Sequence, residues 1–168
     1  MTNVSESRDP ADLPRVLEVL RLAFAAHAGR VDPPSGVEHE TVASLQARLE
    51  NEALVVARTE GGIAGCIWCR PQPNRHLYIG RLAVDPAFAG RGIGGLLLDA
   101  SIQRARALSS PAVDLNVRVE LTENIAMFER RGFVIAGAES HPGFDRPTNY
   151  HMRLTLQGPG AVPTAAVP

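Results

Sequence analysis

One stretch of this chain limits what it can fold into more than any other. Residues 77–100, LYIGRLAVDPAFAGRGIGGLLLDA, read as a strand, a tight glycine-rich loop and a helix with no spacer between them. Leu82, Ala83 and Val84 end an apolar strand, and Asp85-Pro86 stops it. Gly90, Gly92, Gly94 and Gly95 let the backbone turn sharply and come close to a ligand. From Ile93 the pattern becomes helical, with Ile93, Leu96, Leu97, Ala100, Ala107 and Leu108 on one stripe. The unpaired amides of the first helical turn, backed by the positive end of the helix dipole, face whatever the loop holds. A pyrophosphate suits such a cradle.

The rest of the chain supplies a sheet for this unit. Residues 3–8 alternate as a short strand. Asp12 stands as a helix cap ahead of Pro14, and Val16, Leu20, Ala23, Phe24 and His27 follow at helical spacing, which predicts an amphipathic helix over 13–28. GRVDPPSG is a loop by its proline and glycine content. A second helix is expected at 39–51, with Val42, Leu45 and Leu49 on one face and acids in its first turn. Residues 53–59 and 63–69 read as a hairpin around a Glu-Gly-Gly turn, and 76–84 as the next strand. Strands at 112–119, 133–139 and 150–156 and a short helix at 122–131 complete the pattern. The predicted fold is α/β: a single mixed, mostly antiparallel sheet with helices on both faces. The domain is expected over 1–157, and the last residues, 158–168, have no packing pattern and read as a disordered tail.

A chain of 168 residues fits one domain with a sizeable core. Its formal charge of −1 gives no global field to recruit nucleic acid or an anionic membrane, and neither is expected as a partner. No apolar run approaches the roughly 20 residues of a membrane-spanning helix, and MTNVSESRDP has no signal-peptide core, so cytoplasmic residence is the expectation. All basic residues are arginine, which leaves no lysine side chain for self-acylation. Between Gly61 and Arg91, Arg70, Arg75, Arg81 and Arg91 stand against the single acid Asp85, a balance that suits a polyphosphate ligand.

Three nucleotide-binding readings compete for the glycine loop. The ATP-binding pattern ends in Gly-Lys, and the chain has no lysine. A dinucleotide fingerprint belongs in the first strand–helix unit, whereas this glycine run comes at midchain, after three strands. The third reading is a family resemblance. Leu82-Ala-Val84, Asp85-Pro86 and Ala89-Gly-Arg-Gly92-Ile-Gly94 resemble motif A of the GCN5-related N-acetyltransferases. LTENIAMFERRGF resembles that family's motif B through Asn124, Gly132 and Phe133. The resemblance covers about residues 3–156.

The resemblance implies a splayed central strand pair, 77–84 against 112–118, and acetyl-CoA as co-substrate. Pantetheine would enter the opening as a mock strand against the backbone of Leu82, Ala83 and Val84. Ala89, Gly90, Arg91, Gly92, Ile93, Gly94 and Gly95 would hold the pyrophosphate, with Asn124 and Phe128 alongside. The acetyl group would pass directly to a primary amine of a small molecule or peptide; a homodimer is compatible with the family. Two departures stand out. Ala89 replaces the usual Gln or Arg, and Phe128 stands where many members have a tyrosine that protonates the leaving thiolate. The second leaves open an alternative, a catalytically weak acyl-CoA-binding or sensory module. The usual base position falls on Tyr78. Period two sets His76, Tyr78 and Gly80 on one face, so His76 and Tyr78 either relay a proton or serve as a packed tyrosine and a solvated histidine.

Other residues draw less. Cys66 and Cys69 lie three apart in a strand, face opposite sides and read as core thiols. Glu38, His39 and Glu40 read as acids at a helix start, and no metal is expected. His141, Asp145 and His151 lie around the last loop and strand, where the resemblance implies closure over the substrate; they read either as part of that closure or as surface residues.

Overall fold

The computed structural model describes residues 1–156; the expected tail lies outside the described residues. Seven strands form one sheet in the order β1-β2-β3-β4-β5-β7-β6. They are β1 (Asn3–Ser7), β2 (Ala53–Thr59), β3 (Gly62–Pro71), β4 (Leu77–Val84), β5 (Ala112–Arg118), β6 (Val134–Glu139) and β7 (Asn149–Thr155). Every neighbouring pair is antiparallel except β4 and β5, which run parallel and pair only at Leu77↔Val113 and Tyr78↔Asp114. Helices α1 (Leu13–Ala25) and α2 (Val42–Arg48) cover one face, and α3 (Ile93–Ala107) and α4 (Thr122–Glu129) the other. The mixed, mostly antiparallel α/β sheet read from the sequence is the one observed.

Alternation along β2 and β3 feeds both layers. Leu54, Val56, Cys66 and Trp68 pack under α1 with Leu13, Val16 and Leu20, whereas Val55, Ala57, Ile67 and Cys69 pack under α3 with Ile93, Leu97 and Leu98. The two thiols therefore sit in separate cores, and burial pushes that of Cys66 up to about 12.

Three local expectations fail for identifiable reasons. The α3 stripe is rotated: Leu96 and Leu108 are 44% and 50% exposed, while Leu98, Ser101, Ile102 and Ala105 face the sheet. Apolar residues surround much of this helix, and the broad sheet selects the face that carries Leu97 and Leu98 together. α2 is shorter than expected because Thr41 and Ser44 cap it reciprocally, leaving Glu38 and His39 in a preceding turn. Asp12 caps nothing; its carboxylate takes Arg58 and the Ser7 hydroxyl, and Asp9 accepts the Ala11 amide instead at 2.9 Å.

The parting of β4 from β5 has a cause in β4 itself. Cys66 and Trp68, two apart on β3, oppose Ala83 and Gly80, three apart on β4. The extra residue makes a bulge in which Arg81 takes φ 53, a left-handed conformation that arginine rarely adopts. The Glu40 carboxylate accepts from the Arg81 guanidinium at 3.1 Å and holds it there. Beyond this bulge β4 follows β3 and leaves β5.

Candidate active site

The opening between β4 and β5 is a cleft of about 780 Å³ that passes through the sheet. Leu82, Ala83, Val84, Ala89 and Gly94 line it from β4 and the glycine loop, and Asn124, Met127 and Phe128 from α4. Leu115, Asn116, Val117 and Arg118 line it from β5. Within this stretch Leu82 and Val84 have no ladder partner on β5, so an extended amide-bearing ligand can pair with them as a strand would.

The glycine loop is set by its two ends. Asp85 accepts the Ala87 amide at 2.9 Å and the Arg15 guanidinium at 2.6 Å, tying the turn after β4 to α1. The Ala87 amide first, and Arg15 with it, hold the Asp85 carboxyl below the usual carboxylate range. Gly90 and Gly92 take φ 77 and φ 74, and Gly92 is the N-cap of α3. No side chain caps that helix. Its first internal bond runs from Leu96 N to Gly92 O at 3.1 Å, so the amides of Ile93, Gly94 and Gly95 have no partner within the helix. An anion meets three donors and a helix dipole here.

Not every residue of the motif faces this space. Ile93 is buried in the core, and the open side of Gly95 is taken up by the guanidinium of Arg131, which Asp99 holds at 2.9 Å. Both contribute through backbone alone. The arginine excess of 61–91 does not gather at the loop. Arg70 pairs with Glu52 at 3.7 Å, Arg75 donates to Ser109 O at 3.2 Å, and Arg81 reaches Glu40. Arg91 alone stays by the loop, 5.2 Å above the centroid of the Phe88 ring.

On the α1–α2 side of the sheet, β4 and β5 carry a row of polar residues. Tyr78 lies over Gly80, where any side chain would press on its ring, and the Arg70 guanidinium stacks on the ring at 4.7 Å from the centroid. Burial pushes the Tyr78 phenol up; Arg70 and a hydrogen bond from the Asn116 backbone amide only partly oppose it.

His76 does not join Tyr78. Its Nδ1 lies 2.7 Å from Oδ2 of Asp114, and no hydrogen bond links it to the phenol among the described residues. Asp114, 2% exposed, also accepts from Arg153 Nε at 2.7 Å and Gln72 Nε2 at 3.3 Å, with His151 Nε2 at 3.5 Å. His151 in turn sits 3.2 Å from Asn116 Oδ1. Burial works to raise the Asp114 carboxyl, but Arg153 and His76 outweigh it and hold it below the usual range. This cluster closes the vertex of the opening at the last paired residues. It was missed in the sequence, although Asp114, Asn116 and Arg118 at period two within an apolar strand mark one polar face.

Among the remaining candidates, His141 lines the cleft with its amide on Thr148 Oγ1 at 2.9 Å, and Asp145 is exposed away from it. Phe128 is 7% exposed and meets Phe133 edge to face, with centroids 5.9 Å apart.

Comparison with known proteins agrees with this architecture. Residues 17–133 match the model of the Acetyltransferase (GNAT) family. The chain is 32% identical over 137 residues to a mycothiol acetyltransferase of Propionibacterium freudenreichii subsp. shermanii, covering 76% of this chain and 42% of the relative. It is 31% identical over 74 residues to N-alpha-acetyltransferase 30 of Saccharomyces cerevisiae, covering 42% of each chain. The chain thus spans less than half the length of the curated relatives it matches. Among solved structures, PaiA N-acetyltransferase from Thermoplasma acidophilum in complex with coenzyme A superposes with a TM-score of 0.78 at 16% identity, covering 93% of this chain and 99% of that one. The ribosomal-protein-S18-alanine N-acetyltransferase from Escherichia coli gives 0.75 at 20% identity, covering 96% and 99%. On the strength of the family match and the shared fold, this chain belongs to the acetyltransferase (GNAT) family.

Proposed function

We propose that the chain transfers an acetyl group from acetyl-CoA to a primary amine without a covalent enzyme intermediate. The observation that carries this is the separation of β4 from β5 directly beside the uncapped N-terminus of α3. Free backbone on Leu82 and Val84 orients pantetheine, and the amides of residues 93–95 receive the pyrophosphate. Ala89 offers no side-chain donor, so recognition there rests on backbone. The thioester then lies near the vertex, and the amine enters from the α1–α2 side. Its nitrogen forms the new C–N bond, the C–S bond breaks, and the amine proton leaves to water.

In this reading Tyr78 is a proton donor rather than a base. Burial keeps its phenol protonated and the residue lines the cleft, so its proton serves the departing sulfur. Tyr78→Phe is expected to lower kcat by about 10²-fold, the scale of a lost general acid, with acetyl-CoA binding retained. His76→Ala is expected to lower the melting temperature through Asp114 and to leave kcat near the native value. Equal rate losses in the two variants would restore the proton relay through both.

A second reading has one observation in its favour: Phe128 lines the cleft and cannot donate a proton. If proton supply limits turnover, Phe128→Tyr raises kcat by up to about 10²-fold while acetyl-CoA binding is unchanged. A several-fold fall in a folded variant would place the ring against substrate instead. The deciding experiment is thiol release from acetyl-CoA across amines, amino acids and peptides, with mass detection of the product. Thiol release matched by N-acetylated product is expected. Tight acetyl-CoA binding without release against any of them would favour a binding module.

A further inference from the structure

Three residues lining the cleft on its α1–α2 side carry a buried polar atom without a hydrogen-bond partner: His27 Nδ1, Trp68 Nε1 and Arg118 Nη1. The indole and guanidinium nitrogens can only donate. Two buried donors without acceptors cost free energy that a ligand bringing acceptors would return.

Arg118 decides what kind of acceptor. The other cleft-lining arginines are neutralised by carboxylates: Arg48 by Glu40 at 2.6 Å and Glu52 at 3.3 Å, Arg81 by Glu40, and Arg70 by Glu52. Arg118 forms no ion pair among the described residues; its Nη2 donates to Pro34 O at 3.2 Å. Glu120 and Asp32 are close enough to be felt, yet their carboxylates pair with Arg146 at 3.5 and 3.8 Å. The second oxygen of Glu120 is buried without reaching Arg118. A half-buried guanidinium with a free donor and no direct carboxylate partner is suited to receive a carboxylate.

Its position fits the acceptor rather than acetyl-CoA. Period two along β5 puts Arg118 on the face of Asp114 and Asn116, the side on which Tyr78 projects, and its contact with Pro34 lies in the loop between α1 and α2. The phosphate cradle is at the α3 end. An alkylamine or polyamine would bring only donors and more positive charge, leaving both buried nitrogens unanswered.

We propose that the acceptor carries a carboxylate on the same molecule as its amine, and that Arg118 receives it. Free amino acids and short peptides with an acidic side chain or terminal carboxylate share that chemistry. The proposal rests on the transferase reading above, but its test does not need turnover. With CoA saturating, melting shifts are measured for α-amino acids and for acidic dipeptides, each against its carboxamide counterpart, in the native protein, Arg118→Met and Arg118→Lys. The expected result is a shift from one acid series and not from its amides, with apparent affinity reduced at least about 30-fold in Arg118→Met and less in Arg118→Lys. Which acid series shifts distinguishes amino acid from peptide. A retained CoA shift shows that each variant is folded and binds its co-substrate. Acids and amides that behave alike, or an acid preference that survives in Arg118→Met, would overturn the proposal. So would loss of the CoA shift in folded Arg118→Met, which would assign the guanidinium to the phosphates. Failure of the transferase reading looks different: no thiol release with any amine, whatever the acids do to the melting temperature.

Discussion

Gly92→Val is expected to abolish the rise in melting temperature that acetyl-CoA gives the native protein. At a hundredfold excess over Kd a ligand selective for the folded state adds about 2.7 kcal/mol. In a domain of this size that is roughly 5–10 °C. Gly92 holds φ 74 at the N-cap of α3, and a β-carbon there would meet no protein atom within 4 Å. The variant therefore has room to fold, at a cost of about 1–2 kcal/mol for a left-handed residue with a side chain. What it loses is the approach of phosphate to the amides of residues 93–95. A folded Gly92→Val with an undiminished shift would remove the loop from the binding site.

The largest effect on stability is expected at Asp114. Asp114→Asn leaves Arg153 and His76 facing a neutral amide in a site where the native residue is 2% exposed. Because the Arg153 side chain is 38% exposed and water can answer its charge, the loss is about 1–3 kcal/mol, or roughly 2–12 °C here. The pH dependence has a definite sign. Because the folded carboxyl lies below the 3.8 of a free aspartate, its contribution is present above that value and is lost as pH falls through the lower, folded one. The gap in stability between native protein and Asp114→Asn should therefore be full at neutral pH and shrink in the acid range below about pH 4. Measurement of melting temperature against pH for both proteins checks it; a gap that is constant with pH would mean that shape rather than charge is lost.

Local chemistry made much of this molecule legible in the sequence. The strand, glycine loop and helix of 77–100 are specified by neighbours in the chain: an apolar run, an Asp-Pro stop, glycines at positive φ and a helical period. The same holds for the core thiols, whose opposite faces follow from a spacing of three. Features that depend on distant segments were not legible. Glu40 lies in a preceding turn rather than a helix and gathers Arg48 and Arg81 from two other elements. His76 turns to Asp114 rather than Tyr78 because a buried carboxylate from β5 outcompetes a same-face neighbour. The buried face of α3 was misplaced because a polar residue, Ser101, is inside and an apolar one, Leu96, outside, a choice made by the sheet beneath. The arginine excess near the loop was real in number but misleading in purpose, since Arg70, Arg75 and Arg81 pair with acids or carbonyls elsewhere and only Arg91 stays by the loop.

Acetyl-CoA is expected to lie between β4 and β5 with its pyrophosphate on the first turn of α3. Hydrogen–deuterium exchange with and without acetyl-CoA tests it most directly, because the groups involved are backbone amides. The account predicts slower exchange at the amides of residues 82–84 and 93–95 on binding, with β1 and β2 unaffected. Binding that leaves both segments unprotected, or that protects β1 and β2 instead, would contradict it.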